Sequence, residues 1–469
     1  MTAAISANHA SSRGVFLNSG PGASLSPVDI GHPEYIGLVD PDSAFWSLVK
    51  KEKLGEALTG GEFLKSFREK RAAFLGEMDT LRFGLKPSAV YFNPTDKCNL
   101  NCSYCYISEK IRRDGEHMPK EKLLEALGKL KTFFNETIGG EIKPQIIFHG
   151  SEPLLNKKAI FAGIEKYKDD FLFGVQTNGT ALDEEAISFL TSNGVGIGLS
   201  LDSHIQSVAD KTRKTWSGES VFRQAISSLE RLKGYPNYNV ICTAAQSNMA
   251  GLPGIVEFFH SMEVPACMLN PVRITMPGGR EAKPEDHELA GYYLAALDKS
   301  RELYLKTGRK IVVANFANII LSIVAPLARR LMCDISPCGG GRCFFAVSAK
   351  GDIFPCSEFI SLDEYKGGNL FDGPIGDAFG SVGFQKVIGR KVEDIEPCNR
   401  CSIRHYCGSP CPAEAAEANG GMNRPGGFCE LYEEQVRYAF RQIADGREND
   451  FLWDNWDAGT ATTINITSL

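Results

Sequence analysis

No apolar run in this chain comes near the length of a bilayer span, so nothing in it reads as a membrane helix. Residues 1–32 offer Val15, Phe16 and Leu17 as their one apolar patch among Ser, Gly, Ala and Asn, which excludes the h-region of a signal peptide. The expectation is a flexible N-terminal arm on a cytoplasmic protein. A basic excess is missing too. Against 57 Asp and Glu stand 51 Lys and Arg, a net charge of -6, which argues against a nucleic-acid partner. The last absence is local. Cys98, Cys102 and Cys105 form a CX3CX2C group, and no further cysteine follows until Cys242. Structural zinc sites and ordinary iron–sulfur sites close with four protein ligands. Three thiolates on one short loop suit a cluster that leaves one iron open to a small molecule.

What is present is a chain of 469 residues, 43% hydrophobic and 23% charged, the composition of a soluble globular protein with room for two or three domains. Fourteen cysteines are many for a reducing compartment, where clustered thiols point to metal or redox chemistry rather than disulfides. Cys242 and Cys267 lie in apolar runs and read as core thiols.

Residues 33–86 read as a helical N-terminal segment. Asp42 or Ser43 would cap a first helix holding Phe45, Trp46, Leu48 and Val49. Gly60-Gly61 breaks it, and a second helix carries Phe63, Phe67, Phe74 and Leu75. From residue 87 strands and helices alternate. The strand-like runs are Ala89–Phe92, Gln145–Phe148, Leu172–Gln176, Gly196–Leu201, Asn239–Ala244 and Ala266–Asn270, with helical patterns between them. That alternation predicts an α/β fold, a parallel sheet in a partial (β/α)6 TIM-like barrel over residues 87–284. Two helices, Asp286–Tyr304 and Phe316–Leu331, fill a linker over 285–332.

In such folds the chemistry gathers on the loops after the strands. The three cysteines follow the first strand. After the second comes His149-Gly150-Ser151-Glu152-Pro153, after the third Gln176-Thr177-Asn178-Gly179-Thr180, and after the fourth Ser200-Leu201-Asp202 with Asp210-Lys211-Thr212-Arg213 beyond. In their order and placement these segments resemble the radical S-adenosylmethionine (SAM) enzymes, including the aromatic Tyr104 before the third cysteine. The family's GGEP segment is altered here by Ser151. The resemblance implies that Cys98, Cys102 and Cys105 hold a SAM-binding 4Fe–4S cluster and are catalytic through it. It implies SAM contacts from Tyr104, Gly150, Ser151, Glu152, Pro153, Gln176, Asn178, Ser200 and Asp202, with Arg213 meeting the SAM carboxylate.

From Cys338 onward the chain changes character. Phe344–Ser348, Lys350-Gly351 and Asp352–Phe354 carry a hairpin signal. Cys338, Cys343 and Cys356 precede Cys398-X2-Cys401-X5-Cys407-X3-Cys411, and Cys429 follows. With Gly351 five positions before Cys356, the array resembles the SPASM domain, expected here over 333–445 with a tail over 446–469. The resemblance implies two auxiliary 4Fe–4S clusters, one on Cys338, Cys343, Cys356 and Cys411 and one on Cys398, Cys401, Cys407 and Cys429. By spacing alone Cys333 can replace Cys338 or Cys343, and two zinc sites remain an alternative. A closing helix is expected from Glu430 to Ala444, with Tyr432, Val436, Ala439, Phe440 and Ile443 on its inner face.

The resemblance implies an enzyme that reductively cleaves SAM to a 5′-deoxyadenosyl radical. Three 4Fe–4S clusters and SAM are the cofactors, and flavodoxin or ferredoxin the kind of reductant. Hydrogen-atom abstraction would then modify a peptide or small protein, with a leader peptide one means of holding it, through a cross-link such as a thioether or C–C bond or through oxidation. The anaerobic sulfatase maturase is the alternative. In that family an Asp directly after the Gly-X4-Cys cysteine is the base, whereas this chain has Ser357 there and Glu358, the candidate base, one step on. A multi-cluster electron-transfer or zinc-stabilised binding protein is the alternative of another class. No nucleic acid and no membrane are expected as partners.

Overall fold

The computed structural model describes residues 17–18, 24–59, 61–140, 142–454 and 456–457. Strands β1 (Leu17–Asn18), β2 (Ser24–Val28), β3 (Tyr35–Asp40) and β4 (Phe45–Lys50) form an antiparallel sheet in that order. Two expectations are corrected by it. Within the arm Ser24–Val28 is a strand, while residues 1–16 and 19–23 lie outside the described residues. The first half of the first expected helix is strand β4, paired with β3 from Asp40↔Phe45 to Tyr35↔Lys50, and a helix forms only over Leu54–Thr59, ahead of Gly60-Gly61. The capping signal had a second use. Ser43 Oγ donates to Asp40 Oδ2 at 2.7 Å and the Phe45 N–H donates to Ser43 Oγ at 3.2 Å, so short polar side chains close a hairpin turn instead of starting a helix. Trp46 then donates from Nε1 to the Ile323 carbonyl at 2.7 Å, which ties this sheet to the rest. The helix after Gly60-Gly61 forms as expected, over Glu62–Asp79.

Six parallel strands carry the main sheet: β5 (Ala89–Phe92), β6 (Gln145–Phe148), β7 (Leu172–Thr177), β8 (Gly196–Ser200), β9 (Tyr238–Ala244) and β10 (Ala266–Pro271). Helices Lys120–Ile138, Lys157–Tyr167, Glu184–Ser192, Phe222–Leu232 and Leu252–Ser261 connect them. The strands are buried nearly throughout, as a parallel sheet covered by crossover helices requires. Both edges are extended. β11 (Val312–Val313) joins β10 in parallel, and the C-terminal hairpin of β12 (Phe344–Val347) and β13 (Asp352–Phe354) joins β5, Phe344 beside Ala89. With β14 (Gly368–Asn369) the result is one open ten-stranded sheet. The cysteine-rich region is therefore continuous with the barrel rather than appended to it.

Two linker helices form, and the second is shorter than expected. It runs Ala314–Val324 and ends at Ala325-Pro326, where a proline without an amide hydrogen cannot continue the ladder. The closing helix spans Cys429–Ala444, with Val436, Ala439 and Phe440 buried. Phe451, in the tail, is buried edge-on against Phe316 and Tyr438. No helix among the described residues is long and apolar enough to cross a membrane.

Candidate active site

The cysteine loop leaves β5 and is held by its neighbours at backbone level. The Cys98 N–H donates to the Arg112 carbonyl at 3.0 Å, Asn101 to Lys214 at 2.8 Å and Ser103 to Thr212 at 3.0 Å. The buried Arg112 guanidinium donates to the carbonyls of Ile107 and Leu100 and to Asn101 Oδ1, while Trp216 Nε1 donates to the Cys98 carbonyl at 2.8 Å. Neither residue was singled out in the sequence, since a single Arg or Trp outside a motif carries no signal. Burial pushes the Cys98 thiol up to about 12 and the Cys105 thiol up to about 11, with Arg112 opposing at Cys105. Three thiols so placed need compensating positive charge to ionise, which is what a bound iron cluster would bring. The residues fit the group.

The second loop is zipped onto the first. Gly150 has φ +101°, and a Cβ there would lie 2.3 Å from the Asn93 side chain, so this position takes glycine alone. Ser151, the departure from the GGEP pattern, donates from Oγ to the Asp96 carbonyl at 2.6 Å and so locks the two loops together. Glu152 is wholly buried. Its Oε1 accepts from the Leu154 N–H and the Thr177 hydroxyl, and its Oε2 accepts from the Asn178 N–H at 2.7 Å. Burial raises its carboxyl to about 7 against the pull of those donors. Glu152 therefore ties loop to loop behind the site wall, with Pro153 buried beside it, and the faces the motif shows the cavity are Gly150 and Ser151.

Gln176, Asn178, Ser200, Tyr104 and Arg213 also face the cavity. Asn178 donates from Nδ2 to Asn99 Oδ1 at 3.0 Å and lies 3.9 Å from the Cys98 sulfur. Asp202 is buried behind the wall, where Oδ1 accepts from the Thr243 N–H and Oδ2 from the Tyr104 hydroxyl. Arg213 Nη1 donates to the Tyr104 oxygen at 2.9 Å and stands 3.7 Å from the Asp202 carboxylate.

This cavity, of roughly 340 Å³, runs from the first cysteine loop to the C-terminal array. Its far wall carries Cys338, Cys356, Cys411 and Glu358, and Cys333 joins them. Cys343 does not; it is fully buried in the core. Glu358 Oε1 lies 3.3 Å from Arg273 Nε, and Oε2 has no hydrogen-bond partner. Burial raises this carboxyl to about 7, with Arg273 opposing. Tyr106 and His149 also line this cavity, Tyr106 beside Ser357 and His149 beside Gln176. Arg273, which no motif pointed to, is also 3.6 Å from the buried Glu414.

Cys398, Cys401, Cys407 and Cys429 gather away from this cavity. Burial raises Cys407 and Cys429, and in each the neighbouring thiols of this group push further. Among the described residues no three metal-ligating side chains sit close enough to share a single ion.

Two family models match the chain: the Radical SAM superfamily over residues 92–257 and the iron–sulfur cluster-binding SPASM domain over 338–402. An uncharacterized protein of Archaeoglobus fulgidus is 40% identical over 413 residues, covering 88% of this chain and 93% of that one. A cysteine-type anaerobic sulfatase-maturating enzyme of Clostridium novyi is 25% identical over 383 residues, covering 76% and 94%. Among solved structures, anSMEcpe with bound AdoMet superimposes with a TM-score of 0.68 at 21% identity, over 82% of this chain and 100% of that one. Streptococcus suis SuiB bound to precursor peptide SuiA gives 0.54 at 12% identity, over 84% and 97%. The chain belongs to the radical SAM superfamily, carries an iron–sulfur cluster-binding SPASM domain, and takes SAM and 4Fe–4S clusters as cofactors.

Proposed function

We propose that this radical SAM enzyme modifies a side chain of a peptide or small protein by hydrogen-atom abstraction, forming a cross-link or an oxidised residue. The observation that carries this reading is the single cavity joining the Cys98–Cys105 loop to the wall of Cys356 and Glu358, with the Glu358 Oε2 atom unpartnered in it. Bound at that loop, SAM with a reduced cluster supplies the one chemistry no side chain here can: homolytic removal of hydrogen from an unactivated carbon.

The chain's own residues do the rest. Cys98, Cys102 and Cys105 would hold the cluster, while Asn178, Ser200 and Arg213 offer polar groups to SAM along the adjoining wall. Buried loops keep water from the reacting carbon. Glu358, held by Arg273 through Oε1, offers Oε2 to take a proton from the substrate residue. A peptide as substrate is supported by relatives that are sulfatase-maturating enzymes, and by the shared fold of proteins solved with a peptide, anSMEcpe with Cp18Cys peptide and SuiB with SuiA. A second reading, the sulfatase maturase itself, is favoured by that relative and by Glu358 standing next to the position of that family's base.

Anaerobic reconstitution, a chemical reductant and SAM, with peptide panels read by mass spectrometry, test both. Formation of 5′-deoxyadenosine together with hydrogen loss in a panel peptide supports modification. Conversion of a sulfatase-derived Cys or Ser peptide to an aldehyde-bearing residue selects the second reading. SAM cleavage that leaves every peptide unchanged while a small molecule is consumed overturns the peptide reading.

A further inference from the structure

We propose that Cys333, not Cys343, completes the four-thiol set with Cys338, Cys356 and Cys411, and that Cys343 is a core side chain with no metal role. Cys333, Cys338, Cys356 and Cys411 all line the central cavity, and Cys343 is absent from it.

The backbone explains both placements. The Gly339 N–H donates to the Met332 carbonyl at 2.8 Å, which folds the segment 332–339 back on itself and brings Cys333 beside Cys338. Gly340 sits between the next pair. A Cβ built on it would lie 3.7 Å from the Cys338 sulfur and 3.3 Å from Cys356 Cβ. Cys411 enters from another segment with φ +59°, a conformation costly for a residue with a Cβ and one that marks functional positions. Cys333 is open toward the cavity between buried Met332 and Asp334.

Asp334 fixes this segment. It takes Asn318 Nδ2 on both carboxylate oxygens, at 3.0 and 2.9 Å, and pairs with the fully buried Arg329 at 3.3 Å. A buried ion pair is poor value as stability but good at setting register, and here the register set is that of Cys333.

Cys343 belongs to the other side. Its carbonyl accepts the Ser88 N–H at 2.9 Å as the chain enters β12. Phe344 meets Tyr91 on the cavity wall, whereas Phe345 packs on Phe133 under helix Lys120–Ile138. Cys343 stands in the turn one residue before β12, is fully buried in the core and is absent from the cavity lining. Ligation by four protein thiols leaves no iron of that cluster open to a substrate thiolate, which fits the cluster for passing electrons.

Iron and sulfide analysis of the anaerobically reconstituted full chain tests the assignment, and does so whether or not the peptide reading holds. Wild type should carry about twelve irons, Cys333→Ala about eight and Cys343→Ala about twelve. Loss of about four irons from Cys343→Ala with full retention in Cys333→Ala would overturn the proposal. Cys333→Ser guards against a folding defect. A serine oxygen keeps the cluster in place but shifts its electron paramagnetic resonance signal in the reduced protein, and a spectrum identical to wild type would also overturn the assignment.

Discussion

Tyr104 donates a 2.5 Å hydrogen bond to the Asp202 carboxylate, joining the cysteine loop to the end of β8, and Arg213 donates in turn to the Tyr104 oxygen at 2.9 Å. The aromatic residue before the third cysteine is thus a polar brace as well as a flat surface. Tyr104→Phe removes both of these buried bonds but leaves Arg213 beside the Asp202 carboxylate, and should cost about 1.5–3 kcal/mol. Asp202→Asn leaves the buried Arg213 guanidinium without its counter-charge and should cost about 3–5 kcal/mol. Anaerobic denaturant unfolding of the holoenzyme ranks the two, and equal losses would mean that the Arg213 charge is not paired as described.

Gly150→Ala tests the seal between the first two loops. Its φ of +101° costs a residue with a side chain about 1–3 kcal/mol, and the new methyl also meets Asn93. SAM binding, measured by equilibrium dialysis, should fall at least about tenfold, the equivalent of 1.4 kcal/mol. Asn93→Ala added to it removes the collision but not the dihedral cost, so the double variant should recover part of the affinity.

The loops of this site were readable in the sequence because each follows a strand whose apolar run is unambiguous. Cys98–Cys105, Gly150 and Asn178 came from there. What could not be read was direction. Glu152 and Asp202 are as polar as Ser151 and Arg213, yet they face inward to neighbouring loops, and only packing decides that. The same holds for Cys343 against Cys333, five positions on either side of Cys338, whose spacing says nothing about which of the two lines the cavity and which is buried in the core. In the N-terminal segment the failure was local. Asp40, Asp42 and Ser43 can cap a helix or close a turn, and the pairing of Phe45–Lys50 with β3 chose the turn.

Away from the site, His260 should make the fold acid-sensitive. It is buried against Thr307 and the Arg309 carbonyl, and burial, then the Arg309 cation, hold its imidazole below the usual 6.5. The unfolded chain binds this proton below about pH 6.5 and the folded chain does not, so stability is present above that pH and is lost as pH falls toward the folded value. His260→Asn keeps a polar group and removes the titration. Its stability should change less than that of wild type between about pH 7.5 and about pH 5.5 in denaturant unfolding. A variant with the full wild-type slope would assign the acid sensitivity to other groups.

Glu358 offers the sharpest division between making the radical and using it. The carboxylate reaches the cavity on the side of Cys356, and Oε2 is unpartnered, whereas the SAM-side loops hold their polar groups independently of it. Glu358→Gln keeps the size and the Arg273 contact but cannot accept a proton. If it is the base, peptide modification should fall about 10²–10⁴-fold while 5′-deoxyadenosine still forms, because the proton leaves the substrate after the hydrogen atom does. Glu358→Asp should restore part of the product, since a shorter carboxylate still titrates. Loss of SAM cleavage along with the product would instead make Glu358 part of the SAM site, and an unchanged product rate would remove it from the reaction. The partner variant Ser357→Asp places a carboxylate directly after Cys356, one position before Glu358. If it rescues Glu358→Gln on a sulfatase-derived peptide but not on other peptides, the two readings of the substrate are separated by one atom's position on this wall.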